Sequence, residues 1–363
     1  MQINCTGRKI EGSGGHKHMK RYSGLYEKVY DIENIRLAHK NARKGKSHYS
    51  EVKMVDSNPD YYLFQIQEIL KNKTYKTSEY KIFKKIDKGK EREIYKLPYY
   101  PDRIIHWAVM QVIEPIWMKT FIFDTYSSIK GRGIHKGLKR LHKAMKDRER
   151  TKYCLKFDIK KFYPSINHEI LKLIIRKKIK DKDLLWLLDE VIDSVDGETN
   201  VPIGNYLSQY FGNLYLTYFD HWLKEEKKIK YYFRYCDDCV ILHHDKNFLH
   251  ELKKEIEIYL EENLKLKIKE NWQVFPTYVR GVDFLGYRSF GDYTLLRKST
   301  AKQLKRKMRR LKRKVDRWQL LNYKDLCSIN SYKGWLKWCN SYRLYKKYIK
   351  PLEKAGEKND TSI

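Results

Sequence analysis

The chain has 363 residues, 41% of them hydrophobic and 34% charged, which is long enough for two or three subdomains and too apolar for a disordered chain. Its 77 Lys and Arg against 45 Asp and Glu leave a formal net charge of +32, so a polyanion is the expected partner. No apolar run is long enough to span a bilayer, no apolar leader opens the chain, and six cysteines make no disulfide framework; the reading is a cytoplasmic protein with reduced thiols and no membrane partner.

Residues 1–20 read as a Gly/His/Lys-rich lead, and 21–46 show helical spacing with a basic end. Asp60 to Lys71 reads as an amphipathic helix with Leu63, Ile66, Ile69 and Leu70 on one side. Residues 80–98 alternate like two strands around a charged turn, and a long helix starts at Pro101. Ser127 to Gly137 is a basic Gly-rich loop, followed by a helix. Tyr153 to Phe157 reads as a strand ending in Asp158, with a turn and helix from Pro164. Further helices are expected over 182–194, 206–225 and 247–263, a strand-like stretch over 264–275, and a last hairpin from VDFLGYRSF and YTLLRK. From 297 to 350 there are 19 Lys/Arg and 2 Asp. AKQLKRKMRRLKRKVDRW reads as a helix with Leu304, Met308, Leu311 and Val315 as its apolar stripe, and a phosphate backbone suits its basic face.

Two acids interrupt an apolar run in YYFRYCDDCVIL, at Asp237 and Asp238. Tyr231 to Tyr235 and Cys239 to Leu242 read as strands, which puts both carboxylates at the turn of a hairpin. Adjacent carboxylates that stay ionised need a cation to offset their repulsion. Cys236 and Cys239 form a C-x-x-C with no second pair, so a zinc site is not expected. Asp158, in KYCLKFDIKKFYPSI, supplies a third acid at a strand end. Three such carboxylates are what a two-metal site requires, with one cation on an attacking 3′-hydroxyl and the other on a leaving pyrophosphate.

At this point the chain resembles a family. YCDD on a hairpin resembles the Tyr-x-Asp-Asp box of reverse transcriptases, FDIKKFY their first palm motif and VPIGNYLSQ their second. LPYYPDRIIHWAV, RGVDFLGYRSF and SYKGWLKWCNSYRL are similar to the compact bacterial and phage enzymes of diversity-generating retroelements, and Ile203-Gly204-Asn205 with Ser208-Gln209 resembles that type most. The resemblance implies an α+β right-hand polymerase fold of fingers, palm with an antiparallel sheet, and helical thumb. Its divisions would be 1–57 as a basic extension, 58–150 as fingers, 151–290 as palm and 291–363 as thumb.

It implies an RNA-directed DNA polymerase with two Mg²⁺ ions, or Mn²⁺ instead, held by Asp158, Ile159, Asp237 and Asp238. Tyr163 would be the aromatic gate against a ribose 2′-hydroxyl. Ile203 stands where accurate relatives carry Gln, which goes with error-prone copying at template adenine. Gly204, Gln209, Arg92 and Arg103 would bind substrate, with Lys96 in the same fingers region. Lys130 and Arg132, with Lys305, Arg309 and Lys312 in the basic helix, would bind nucleic acid. The partners implied are a structured template RNA, the RNA/cDNA duplex, deoxynucleoside triphosphates and a small basic accessory protein. A retron-like or defence-associated enzyme acting against phage is the alternative biology. KLKIKENWQ lacks the lysine-containing turn of the usual fourth motif, so no general acid is assigned there.

Overall fold

The computed structural model describes residues 2–3, 9–10, 20–87 and 90–353. Most of the N-terminal lead and the charged turn at 88–89 lie outside the described residues. In chain order the elements are strands β1 (Gln2–Ile3) and β2 (Lys9–Ile10); helices α1 (Tyr26–Tyr30), α2 (Ile32–Ala42), α3 (Ser50–Ser57) and α4 (Pro59–Lys71); the hairpin β3 (Lys81–Asp87) and β4 (Lys90–Lys96); and helices α5 (Ile104–Met118) and α6 (Ile134–Met145). Then come β5 (Tyr153–Asp158), α7 (His168–Arg176), α8 (Lys182–Ile192), α9 (Tyr206–Tyr215), α10 (Thr217–His221), β6 (Tyr231–Tyr235), β7 (Asp238–His243) and α11 (Lys246–Leu264). The chain closes with β8 (Gln273–Pro276), α12 (Thr277–Arg280), β9 (Val282–Phe284), β10 (Tyr287–Ser289), β11 (Thr294–Leu296), α13 (Lys298–Asp316), α14 (Tyr323–Leu336) and α15 (Tyr342–Leu344). Helices combine with antiparallel pairs (β3–β4, β5–β8, β6–β7, β9–β10 and β10–β11), so the fold is α+β.

The chain forms two compact units. The first holds residues 1–128, 158–229 and 253–271. Two of its N-terminal helices start at side-chain caps. Asp31 accepts from the N–H groups of Glu33 and Asn34, and Asn58 caps α4 ahead of Pro59 at the first helical position. α5 is apolar on nearly every side and buries Ile104, Ile105, Ala108, Val109, Ile113 and Trp117, as a helix inside a unit must. A side-chain ladder ties it to α2: Asn34 donates to Ala108 O at 3.1 Å, Gln111 to Asn34 Oδ1 at 2.8 Å, and Asn41 to Gln111 Oε1 at 2.8 Å.

The second unit holds residues 129–157, 230–252 and 272–363. Its main sheet has the strand order β6-β7-β5-β8. Cys154, Leu155, Phe157 and Cys239 to Leu242 fill its core. A separate cluster gathers Leu138, Tyr287, Leu304, Met308, Leu311, Ile329 and Leu336. The stripe expected on the basic helix is therefore core, and Val315 packs against the same cluster from a half-buried position.

Three expectations need correction. The helix expected over 206–225 is broken at Leu216, where the Thr217 hydroxyl donates back to Asn213 O at 3.1 Å, a local bond that bends helices. The strand-like 264–275 becomes a strand only at Gln273. Upstream, Ile268 makes one isolated bridge with Ile159, flanked by Lys160 N–H to Lys267 O and Lys269 N–H to Asp158 O, both 2.8 Å. The alternation there reflected real burial of Leu264, Leu266 and Ile268, but the pairing is too short for a ladder. The last hairpin is a three-stranded sheet: VDFLGYRSF is itself a hairpin, turning at Leu285 (φ 56°) and Gly286 (φ 87°), and β11 adds the third strand.

Candidate active site

Strand β6 ends at Tyr235, which pairs with Asp238, so Cys236 and Asp237 alone form the turn. The sequence reading put both acids at the tip. The structure puts Asp237 there and makes Asp238 the first residue of β7, because a positive φ of 56° at Cys236 closes the hairpin in two residues. Beneath the turn the guanidinium of Arg234 is wholly buried and its Nη1 donates to Cys236 O at 3.1 Å. Sequence reasoning missed Arg234, although a charge at an inward position of YYFRY is itself a signal.

Asp238 accepts a hydrogen bond from the ammonium of Lys156 on β5, both side chains being about one-fifth exposed. Lys156 was also missed. It lies two residues before Asp158, so the two share a face of the strand.

Asp158 is half-buried. Its carbonyl accepts the Lys269 N–H, and its Oδ1 lies 3.8 Å from Lys269 Nζ. No role for this lysine was legible, because its contact with Asp158 joins segments far apart in sequence. The Ile159 side chain is fully buried, leaving only backbone oxygen to offer. Phe162 is core and Tyr163 is half-buried. Both rings press on Gly212 of α9: a Cβ there would stand 3.1 Å from Tyr163 Cε1 and 3.2 Å from Phe162 Cε1.

In the same unit Ile203 and Gly204 are fastened to the β3–β4 hairpin. The Tyr95 N–H donates to Ile203 O at 3.0 Å, and a Cβ on Gly204 (φ 131°) would fall 2.8 Å from Tyr95 O. A cavity of about 110 Å³ opens beside them, lined by Lys46, Lys96, Arg103, His106 and Gly204 among others. The ammoniums of Lys46 and Lys96 lie 5.7 and 5.4 Å over the Tyr49 ring. Arg103 donates from Nε to Ala42 O at 3.3 Å. Burial pushes the His106 imidazole down to about 4, so it is neutral, and its Nε2 has no hydrogen-bond partner. Arg103 and Gly204 thus share one cavity. Arg92 sits exposed opposite Lys85 on the hairpin, and Gln209 lies on the exposed side of α9.

Residues 76–289 match the family described as reverse transcriptase (RNA-dependent DNA polymerase). The chain belongs to that family. It is 24% identical over 234 residues to Protein YkfC of Escherichia coli K12, covering 53% of this chain and 61% of that protein. Among solved structures it is similar to apo telomerase from Candida tropicalis (TM-score 0.48, 14% identity, 64% of this chain and 50% of that one). It is also similar to telomerase from Candida albicans with a fragment of telomeric RNA (TM-score 0.48, 12% identity, 66% and 51%). The chain therefore spans less than two thirds of the length of these proteins.

Reverse transcriptase domains work with divalent metal ions. Asp158, Asp237 and Asp238 offer hard carboxylate oxygens, the donor type that Mg²⁺ and Mn²⁺ take. Among the described residues no group of three or more His, Cys, Asp or Glu side chains is arranged to hold a metal ion. Two of these carboxylates face a lysine ammonium instead, Asp238 at Lys156 and Asp158 at Lys269. The donors fit a divalent cation, and each of these two already attracts positive charge.

The basic residues expected to bind nucleic acid lie at several places on the surface. Lys130 is exposed and Arg132 half-buried. Lys305, Arg309 and Lys312 lie on one face of α13, where Arg309 donates to the Tyr348 hydroxyl at 3.3 Å. The next face carries Arg306, Lys307, Arg310 and Arg313, which line a groove of about 510 Å³ with Ser328 and Tyr332 of α14. Helix periodicity gives both faces alike, and the docking of α14 forms a groove along the second. Among the described residues no helix is long and apolar enough to cross a membrane.

Proposed function

We propose that this chain is an RNA-directed DNA polymerase that extends a 3′-hydroxyl on a structured template RNA with deoxynucleoside triphosphates. The observation that carries the reading is the Asp237–Asp238 hairpin, in one sheet with the strand that ends in Asp158, inside a region matching the reverse transcriptase family. Asp158, Asp237 and Asp238, with the Ile159 backbone, are the proposed ligands of two Mg²⁺ or Mn²⁺ ions. Bound there, the metals would activate the 3′-hydroxyl and stabilise charge on the leaving pyrophosphate. Tyr163 excludes a ribose 2′-hydroxyl by bulk. Arg92, Arg103, Gly204 and Gln209 hold the incoming nucleotide and template. Lys130, Arg132 and the basic α13 hold the RNA/cDNA duplex through its phosphates. On this reading the chain divides into a basic extension (1–57), fingers (58–150), palm (151–290) and thumb (291–363).

We infer further that the enzyme is of the diversity-generating type, copying with errors at template adenine, with a small basic accessory protein as partner and the cytoplasm as its place. Ile203 supports this: an apolar β-branched side chain supplies no polar contact to the nascent base pair. The test is primer extension on an RNA template with Mg²⁺ and four deoxynucleotides, wild type beside Asp237→Ala, with the products sequenced. Extension lost in the variant and errors concentrated opposite adenine support both levels. Accurate extension keeps the polymerase and moves the biology to the retron-like or defence alternative. Extension by Asp237→Ala at the wild-type rate removes the proposed centre.

A further inference from the structure

The turn between α13 and α14 is built in an unexpected way. The Gln319 N–H donates to Lys314 O at 3.0 Å and the Trp318 N–H to Val315 O at 2.9 Å. This is the paired bonding of a Schellman C-cap, with Trp318 at the position where a left-handed residue, usually glycine, belongs. Trp318 has φ 60° and is 96% exposed. Among the described residues it is the most exposed large hydrophobic side chain. Leu320 and Tyr323 beside it in sequence are 76% and 81% exposed. A tryptophan here carries backbone strain that glycine would avoid and buries almost nothing, so the fold does not explain it.

The surroundings indicate what would. The 17 residues 301–317 that lead into the turn hold ten Lys/Arg against one acid, Asp316. A second copy would bring the same excess charge against this one. Three tip side chains also fall far short of the roughly 800 Å² per partner that a stable protein interface buries. An exposed indole at the end of a dense row of cations matches single-stranded nucleic acid, whose phosphates meet the charge and whose bases stack on the ring. We infer that Trp318, flanked by Leu320 and Tyr323, is a stacking platform for an unpaired base of RNA. The site does not depend on polymerase chemistry, and its failure would leave the proposed activity untouched.

The test uses the full chain and two fluorescein-labelled probes, a single-stranded oligouridylate and an RNA duplex of equal length, titrated by anisotropy over a range of salt. Trp318→Gly puts the preferred residue in the cap, so the variant is expected to melt no lower than wild type. It is expected to lose about 5- to 150-fold in affinity for the single strand, the range for one stacked base. The slope of log affinity on log salt should stay the same, because no phosphate contact is removed. Trp318→Phe should keep most of the affinity, and duplex binding should be equal in all three proteins. Unchanged single-strand affinity in Trp318→Gly would overturn the inference, as would an equal loss on the duplex. An RNA-free wild-type dimer that Trp318→Gly dissociates would assign the tip to self-association and overturn it too.

Discussion

Gly204→Ala isolates the junction between the Ile203–Gly204 loop and the β3–β4 hairpin. At φ 131° an L-residue is strained whatever the space, at about 1–3 kcal/mol. The added methyl also meets Tyr95 O at 2.8 Å, and a backbone oxygen cannot swing aside as a side chain can. Moving the loop away from β4 to relieve that contact lengthens the Tyr95 N–H to Ile203 O bond, worth about 0.5–1.5 kcal/mol. The sum is about 2–4 kcal/mol against the closed junction. Gly131→Ala is the control, with φ 74° and nothing within 4 Å of its Cβ, and should cost about 1 kcal/mol. Native-state hydrogen exchange reads the difference directly. The Tyr95 amide should exchange at least roughly 30-fold faster in Gly204→Ala, as about 2 kcal/mol implies, and stay at the wild-type rate in Gly131→Ala. Equal Tyr95 protection in both variants would refute the reasoning.

Other variants test other groups. The His106 imidazole is neutral in the fold with its pKa pushed down to about 4, whereas the unfolded chain protonates near 6.5. Its stabilisation is therefore complete above about 6.5 and is lost as pH falls toward 4, at roughly 1 kcal/mol per pH unit. Urea midpoints of His106→Gln should lack that share of the acid slope, and an identical slope would count against the assignment. Lys156→Met removes the cation from Asp238. With both groups about one-fifth exposed, the loss in stability should be about 1–2 kcal/mol, between exposed and buried pairs. Mn²⁺ binding followed by electron paramagnetic resonance should tighten several-fold, and weaker binding would contradict the placement of Lys156. Arg234→Ala empties a fully buried position under the β6–β7 turn and should lower stability by about 3 kcal/mol or more. A melting temperature within two degrees of wild type would show that the turn needs no brace.

What was legible followed from local rules. The strands around Asp237 show as apolar runs, the α13 stripe shows as helical spacing, and both are where the sequence put them. What was missed depends on approach between distant segments. Lys269 reaches Asp158 across 111 positions of sequence, and Tyr95 bonds Ile203 across 108. No periodicity encodes either. The break at Leu216 escaped notice because Thr217 reads as an ordinary helix residue until its hydroxyl takes the Asn213 carbonyl. The groove along Arg306, Lys307, Arg310 and Arg313 is formed by the docking of α14, which the charge pattern of α13 does not contain.

The central claim is templated DNA synthesis at Asp158, Asp237 and Asp238. Its most direct measurement is single-nucleotide incorporation on a primed RNA template, wild type beside Asp237→Asn, a change of charge with nearly constant shape. The account predicts addition of the complementary deoxynucleotide by wild type, dependent on Mg²⁺ or Mn²⁺. Asp237→Asn should be at least roughly 100-fold slower, with its affinity for the template unchanged. Incorporation by the variant at the wild-type rate, or a wild type that takes ribonucleotides as readily as deoxynucleotides, would contradict it.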